Sequence, residues 1–165
     1  MLSVLKKLSA AIVIMTFLFT ASCTRNLKET KLINEKAKFN LIIAGDSSEY
    51  KDSIRESLVS KYRAEGSLEV INTENLENVT EGSYDAILIM DTCMAWGTFN
   101  PSVNNFLERI EKKDNIVLFM TADDVEWEYS YHNVDAITSA SEIENKEMVT
   151  DKLSERIDEI ISGLQ

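Results

Sequence analysis

The chain holds only one histidine, one proline, two cysteines and five glycines among 165 residues. One histidine and two widely separated cysteines leave no Cys/His pair at ligand spacing, which excludes a metal set of that kind. Basic residues are also few: 17 Lys plus Arg stand against 28 Asp plus Glu, for a formal net charge of -11. No Lys/Arg cluster forms the basic face that phosphate neutralisation requires, so a nucleic-acid partner is excluded. There is no internal repeat and no low-complexity stretch. What is present is apolar: 44% hydrophobic residues suffice for a real core, against both disorder and a disulfide scaffold. One acidic domain of ordinary size follows.

No hydrophobic run reaches the ~20 residues needed to cross a bilayer. The longest, Leu8 to Phe19, follows Lys6 and Lys7 and precedes the small residues Ala21 and Ser22, which is the layout of a secretory signal over residues 1–22. Cys23 comes next. Thr20-Ala21-Ser22-Cys23 resembles the lipobox of bacterial lipoproteins, with Thr20 where that motif usually carries Leu. The resemblance implies acylation of Cys23, an extracytoplasmic location and a lipid anchor to a bacterial membrane. Residues 23–38 are polar and lysine-bearing and read as a tether, with the folded domain spanning 39–165. Cleavage removes two lysines and no acid, so the mature chain is more acidic still and repels anionic head groups. With Cys23 acylated, Cys93 is the one thiol left and no intrachain disulfide forms.

From Phe39 onward apolar runs alternate with helical patterns, the signature of α/β. Phe39–Ala44, Leu68–Ile71, Tyr84–Met90, Asn115–Met120 and Val134–Thr138 read as five strands. Three helices separate or follow them. The first carries Ile54, Leu58, Val59 and Tyr62 and is read as ending at Gly66. Another opens at Asn100-Pro101, with Val103, Phe106, Leu107 and Ile110 on one face. The last carries Val149, Leu153, Ile157, Ile160, Ile161 and Leu164, and Ser141-Glu142-Ile143-Glu144 reads as its capping box. Parallel strands need crossovers, so the links at 72–83 and 122–133 are shortened ones. The expected architecture is a three-layer sandwich around a five-stranded parallel sheet of order 2-1-3-4-5.

Tyr84-Asp85-Ala86-Ile87-Leu88-Ile89, Ala95-Trp96-Gly97 and Asn100-Pro101-Ser102-Val103-Asn104-Asn105-Phe106-Leu107 resemble, in that order, the third strand, flavin loop and following helix of flavodoxin-like proteins. The resemblance covers most of residues 39–165. It implies non-covalent FMN, with Trp96 stacking on the flavin ring, Gly97 beside it, and Ser47 and Ser48 at the phosphate. At the phosphate turn the chain departs from the family. Gly45-Asp46-Ser47-Ser48-Glu49 carries two acids and lacks a second glycine, and Ser48 also reads as a plain helix N-cap. Asp135-Ala136-Ile137-Thr138-Ser139-Ala140-Ser141 faintly resembles the motif that carries FMN as a phosphoester, without its glycine and threonine.

Two other resemblances are weaker. Gly45-Asp46-Ser47 resembles the nucleophile block of SGNH/GDSL hydrolases, but His132 is the only histidine and no oxyanion block is present. Asp91 and Thr121 stand where a response-regulator receiver keeps its phospho-acceptor and its hydroxyl switch, without the second acid and the lysine. Trp127, Tyr129 and Tyr131 alternate as one strand face covering a sheet edge, and Cys93 reads as an inert buried thiol. Two functions follow: an FMN electron carrier with a protein redox partner, or a cofactor-free interaction module using its acidic face. An esterase is a distant third.

Overall fold

The computed structural model describes residues 27–93, 100–122 and 129–163. The strands are β1 (Thr30–Leu32), β2 (Phe39–Gly45), β3 (Gly66–Asn72), β4 (Ala86–Thr92), β5 (Ile116–Thr121), β6 (Ser130–Tyr131) and β7 (Val134–Ser139). The helices are α1 (Glu49–Tyr62), α2 (Pro101–Arg109) and α3 (Lys146–Ser162). The sheet order is β1-β3-β2-β4-β5-β7-β6. Its five central strands are parallel and follow the expected 2-1-3-4-5 order. The sheet as a whole is seven-stranded and mixed, because β1 and β6 add to its two edges antiparallel. Such short flanking strands cover the long edges of β3 and β7.

Alternate residues of each central strand enter different cores. Leu41, Ile43, Leu88, Met90, Val117 and Phe119 face α1 and α3, which contribute Ile54, Leu58, Val149, Leu153 and Ile157. Ile42, Ala44, Ile87, Ile89, Leu118 and Met120 face α2, which contributes Val103, Phe106 and Leu107. Three layers and the flavodoxin-like α/β architecture result. α2 starts as its sequence dictates: Pro101 occupies the first turn, and the Asn100 side chain accepts from the Ser102 amide at 2.9 Å. Tyr62 joins α1 to α3, its hydroxyl donating to Asp158 Oδ1 at 2.7 Å and to the Ser154 carbonyl at 3.1 Å.

The first shortened crossover is a 3-10 helix over Thr73–Asn78. Arg109 holds it, donating to the Leu76 and Val79 carbonyls at 3.0 and 3.1 Å. Only the end of the second lies among the described residues. There β6 returns into β7 through His132 and Asn133, both at positive φ, as a two-residue type I′ hairpin requires. Of the aromatic stripe expected there, Tyr131 is the strand residue and is buried; Trp127 lies outside the described residues.

Four expectations are corrected besides the strand count. Residues 27–38 are not a free tether: Leu27 is buried, and Thr30–Leu32 pair with Leu68–Val70. Gly66 does not cap α1, which ends at Tyr62 with Arg63 as its cap. It opens β3 instead, where a Cβ would stand 2.2 Å from the Phe39 ring. Ser141 does not start the last helix, because a 3-10 turn at Ile143–Asn145 intervenes and Asn145 is the N-cap. Cys93 is half-buried rather than sealed in the core.

Candidate site at the carboxyl ends of the central strands

In an open parallel sheet, ligands bind beyond the carboxyl ends of the strands where the order reverses. Here that point lies between β2 and β4. β2 ends at Gly45, against which β4 packs so closely that a Cβ would come within 2.9 Å of the Met90 carbonyl. The three residues Asp46, Ser47 and Ser48 then turn the chain into α1.

Every side chain of this turn is engaged inside the protein. Ser48 is the N-cap, accepting from the Lys51 amide at 3.2 Å. The Ser47 hydroxyl donates to Asp52 Oδ2 at 2.7 Å. The Asp46 carboxylate receives Lys51 Nζ at 2.5 Å. Lys51 is 1% exposed and donates a second hydrogen bond to Thr92 Oγ1, the last residue of β4, at 2.5 Å. Burial pushes its pKa down, and the Asp46 charge opposes that fall.

Arg55, one turn further along α1, braces the turn from below. It donates to the Asp46 carbonyl at 2.6 Å and pairs with Asp52. Two cations thus sit under two acids. The repulsion toward an anion expected from Asp46 is therefore offset locally, although the Ser47 hydroxyl is already spent on Asp52 and only that of Ser48 is left to donate.

Beside the turn, Thr121 at the end of β5 donates to Thr92 Oγ1 at 3.2 Å and to the Asp91 carbonyl at 3.4 Å. Asp91 is buried, which raises its pKa against the opposing effect of the Thr92 and Asn100 amides and of Lys51. A sealed carboxylate is not a phospho-acceptor, so the receiver likeness ends there. At the end of β7, Ser139 bonds the Tyr50 hydroxyl at 3.1 Å and the Ala140 carbonyl at 2.9 Å. Three strand positions separate it from β2.

The hydrolase reading fails on position. His132 is in the β6–β7 turn, level with the amino end of β7, and pairs with Asn104 at 3.1 Å, while Ser47 lies at the opposite end of the sheet. Among the described residues no group of three or more His, Cys, Asp or Glu could hold a metal ion. Nor is any helix among them long and apolar enough to cross a membrane. Trp96, Gly97 and Cys23 lie outside the described residues.

A groove of about 620 Å³ lies on the flank rather than at the strand ends, with Leu27, Leu32, Arg55, Val59, Arg63 and Val70 in its walls. It adjoins the turn through Ser47 and Asp52.

Lys51 and Arg55 escaped the sequence reading, although a signal was there. Counting back three residues from Leu58 and three from Ile54 places both on the buried stripe of α1.

No protein-family model matches the chain, and neither does any curated protein. Among solved structures, oxidised flavodoxin 2 from Bacillus cereus is similar at 16% identity and a TM-score of 0.49, over 73% of this chain and 98% of that one. Oxidised flavodoxin 1 from the same organism is similar at 15% identity and a TM-score of 0.47, over 72% and 97%. The flavodoxin-like assignment rests on the strand order and layering of the chain itself.

Proposed function

We propose that this chain is an extracytoplasmic lipoprotein, anchored through acylated Cys23, whose flavodoxin-like domain acts as a cofactor-free interaction module. One observation carries the second half of this reading: Ser47 and Lys51, two of the side-chain donors at the turn after β2, are spent on the acids Asp52 and Asp46. A phosphate cradle needs donors aimed outward, and this turn directs Ser47 and Lys51 to its own acids. Of the turn's side chains only the exposed Ser48 hydroxyl keeps a proton to donate to an FMN phosphate, a poor set for a dianion. The acidic composition, net -11, favours a partner with a basic surface, which such a charge steers into encounter.

A second reading keeps FMN and electron transfer to a protein partner. Its support is the pairing of Asp46 with Lys51 and of Asp52 with Arg55, which offsets the charge of those two acids and leaves Glu49 as the acid facing a bound phosphate. On that reading Ser47 and Ser48 would leave their present partners for the phosphate, and Trp96 and Gly97 would meet the ring.

Titration of the purified domain with FMN separates the two, together with a visible spectrum of the protein isolated from its native host. The interaction reading expects no flavin band and no binding at micromolar FMN. A flavin carried through purification would replace it with the redox reading.

A further inference from the structure

Leu27 is the first described residue, and it is pinned. The Asn72 side chain accepts from the Leu27 amide at 3.1 Å and donates to the Leu27 carbonyl at 3.2 Å. Glu29 strengthens the clamp by accepting from the Asn72 amide and side chain, each at 2.9 Å, and from Asn75 at 2.6 Å. Asn72 is the last residue of β3. Since β1 runs antiparallel to β3, with Thr30 opposite Val70 and Leu32 opposite Leu68, the incoming chain reaches the sheet at its carboxyl-end rim. Asp46 and Thr92 stand on that same rim.

Only Thr24, Arg25 and Asn26 separate Cys23 from Leu27. Four fully extended residue steps span at most about 14 Å. The tether expected from composition, residues 23–38, would have allowed roughly 50 Å at the same rise per residue. The parallel strands themselves are about 20 Å long at ~3.3 Å per residue. A leash shorter than the sheet, fixed at one rim, keeps that rim within about 14 Å of the bilayer and sets no such limit on the other.

Resting on the lipidation of Cys23 and the interaction reading above, we infer that the carboxyl-end rim of the sheet faces the membrane at close range and docks a membrane-embedded protein through its basic extracytoplasmic surface. The leash defines the surface, and charge decides between the two occupants a membrane offers. Glu29, Glu49, Glu74, Glu142 and Glu144 stand around this rim beside the Asp46–Lys51 pair, with Lys28 and Lys146 as its cations. An anionic lipid surface is repelled by that distribution, whereas basic loops of an integral protein complement it.

The test uses the full lipidated chain. For orientation, Glu74→Cys on the near rim and Asn133→Cys on the far rim, each in a Cys93→Ser background, carry a donor dye in phosphatidylcholine vesicles containing an acceptor-labelled head group. Energy transfer from position 74 should exceed that from 133 several-fold. Equal or reversed transfer overturns the orientation. For the occupant, photo-crosslinking amino acids at Glu49, Glu74 and Asn133 are activated in native envelopes. Adducts to an integral membrane protein from 49 and 74, and not from 133, support the inference. Adducts to lipid alone, to soluble proteins alone, or mainly from 133 overturn it. Adducts from none of the three, with the orientation as expected, overturn the interaction reading rather than the geometry. Inserting twenty Gly/Ser residues after Asn26 should abolish the difference in energy transfer between the two rims, and a difference unchanged by that insertion assigns orientation to something other than the leash.

Discussion

The ammonium of Lys51, buried under the first turn of α1, meets the carboxylate of Asp46 at 2.5 Å, and the two are unequally exposed: the lysine side chain 1%, the aspartate 40%. Removing one partner therefore differs from removing the other. Asp46→Ala leaves a buried ammonium with the Thr92 hydroxyl as its one remaining hydrogen-bond partner and should cost about 3 kcal/mol. Lys51→Met leaves a carboxylate that water can reach and should cost about 1 kcal/mol. Urea unfolding of the two variants measures both, and a larger loss for Lys51→Met would contradict this account of the turn.

Gly66 and Gly163 should respond oppositely to alanine. At Gly66 the new Cβ would lie 2.2 Å from a ring carbon of Phe39, a ring already set edge-on against Tyr62. Overpacking of that kind costs about 2 kcal/mol. At Gly163 the nearest atom is 3.5 Å away and φ is -69, so alanine is accommodated and restricts the unfolded chain. Thermal midpoints should fall for Gly66→Ala and hold or rise for Gly163→Ala.

Alkali should weaken the fold through its tyrosines. Burial, then the neighbouring Glu69, pushes the Tyr84 hydroxyl up to about 12, and burial does the same for Tyr131. Tyr62 is raised further by burial and by its bond to Asp158. In the unfolded chain these groups ionise near 10. The folded state thus holds protons that the unfolded state has released, so this contribution is whole below pH 10 and is lost as the pH climbs toward 12. Lys51 acts in the opposite sense, since burial lowers its pKa. Thermal midpoints followed across that window should fall, and Tyr84→Phe should flatten the slope. A slope identical to wild type would place the effect elsewhere.

Cys23→Ala should abolish membrane attachment after signal cleavage, leaving the protein soluble or unprocessed, because the acylated thiol is the proposed anchor. Fractionation of cells expressing the variant is the measurement. Processed protein found wholly in the membrane would remove the lipoprotein reading.

The central strands were legible because burial on both faces demands unbroken apolar runs, as in Leu41 to Ala44 and Ile87 to Met90. The start of α2 was legible because Asn100 and Pro101 each do one thing there. The edge strands were not. Thr30-Lys31-Leu32 shows no pattern that distinguishes a strand from a linker, and its pairing comes from the exposed edge of β3 together with the Lys31–Glu69 ion pair at 2.6 Å. Ser141-Glu142-Ile143-Glu144 satisfies the capping-box spacing, yet the chain tightens into a 3-10 turn first. At the candidate site the positions of Ser47 and Ser48 were foreseen but their partners were not. Lysine is ordinarily a surface residue, and nothing local marks Lys51 as buried except its place on the stripe of Ile54 and Leu58.

The pairing of α1 with α3 also bears on when the fold can close. Val149, Leu153 and Ile157, near the end of the chain, complete the core that Ile54 and Leu58 open near its start, and Tyr62 bonds across 96 residues to Asp158. A chain emerging amino end first has β2, α1 and β3 long before it has α3. That face of the sheet stays unsealed until α3 arrives, so the domain closes only once α3 has joined it. For a protein proposed to be exported, the core on that face cannot close before residues 146–162 have followed the rest.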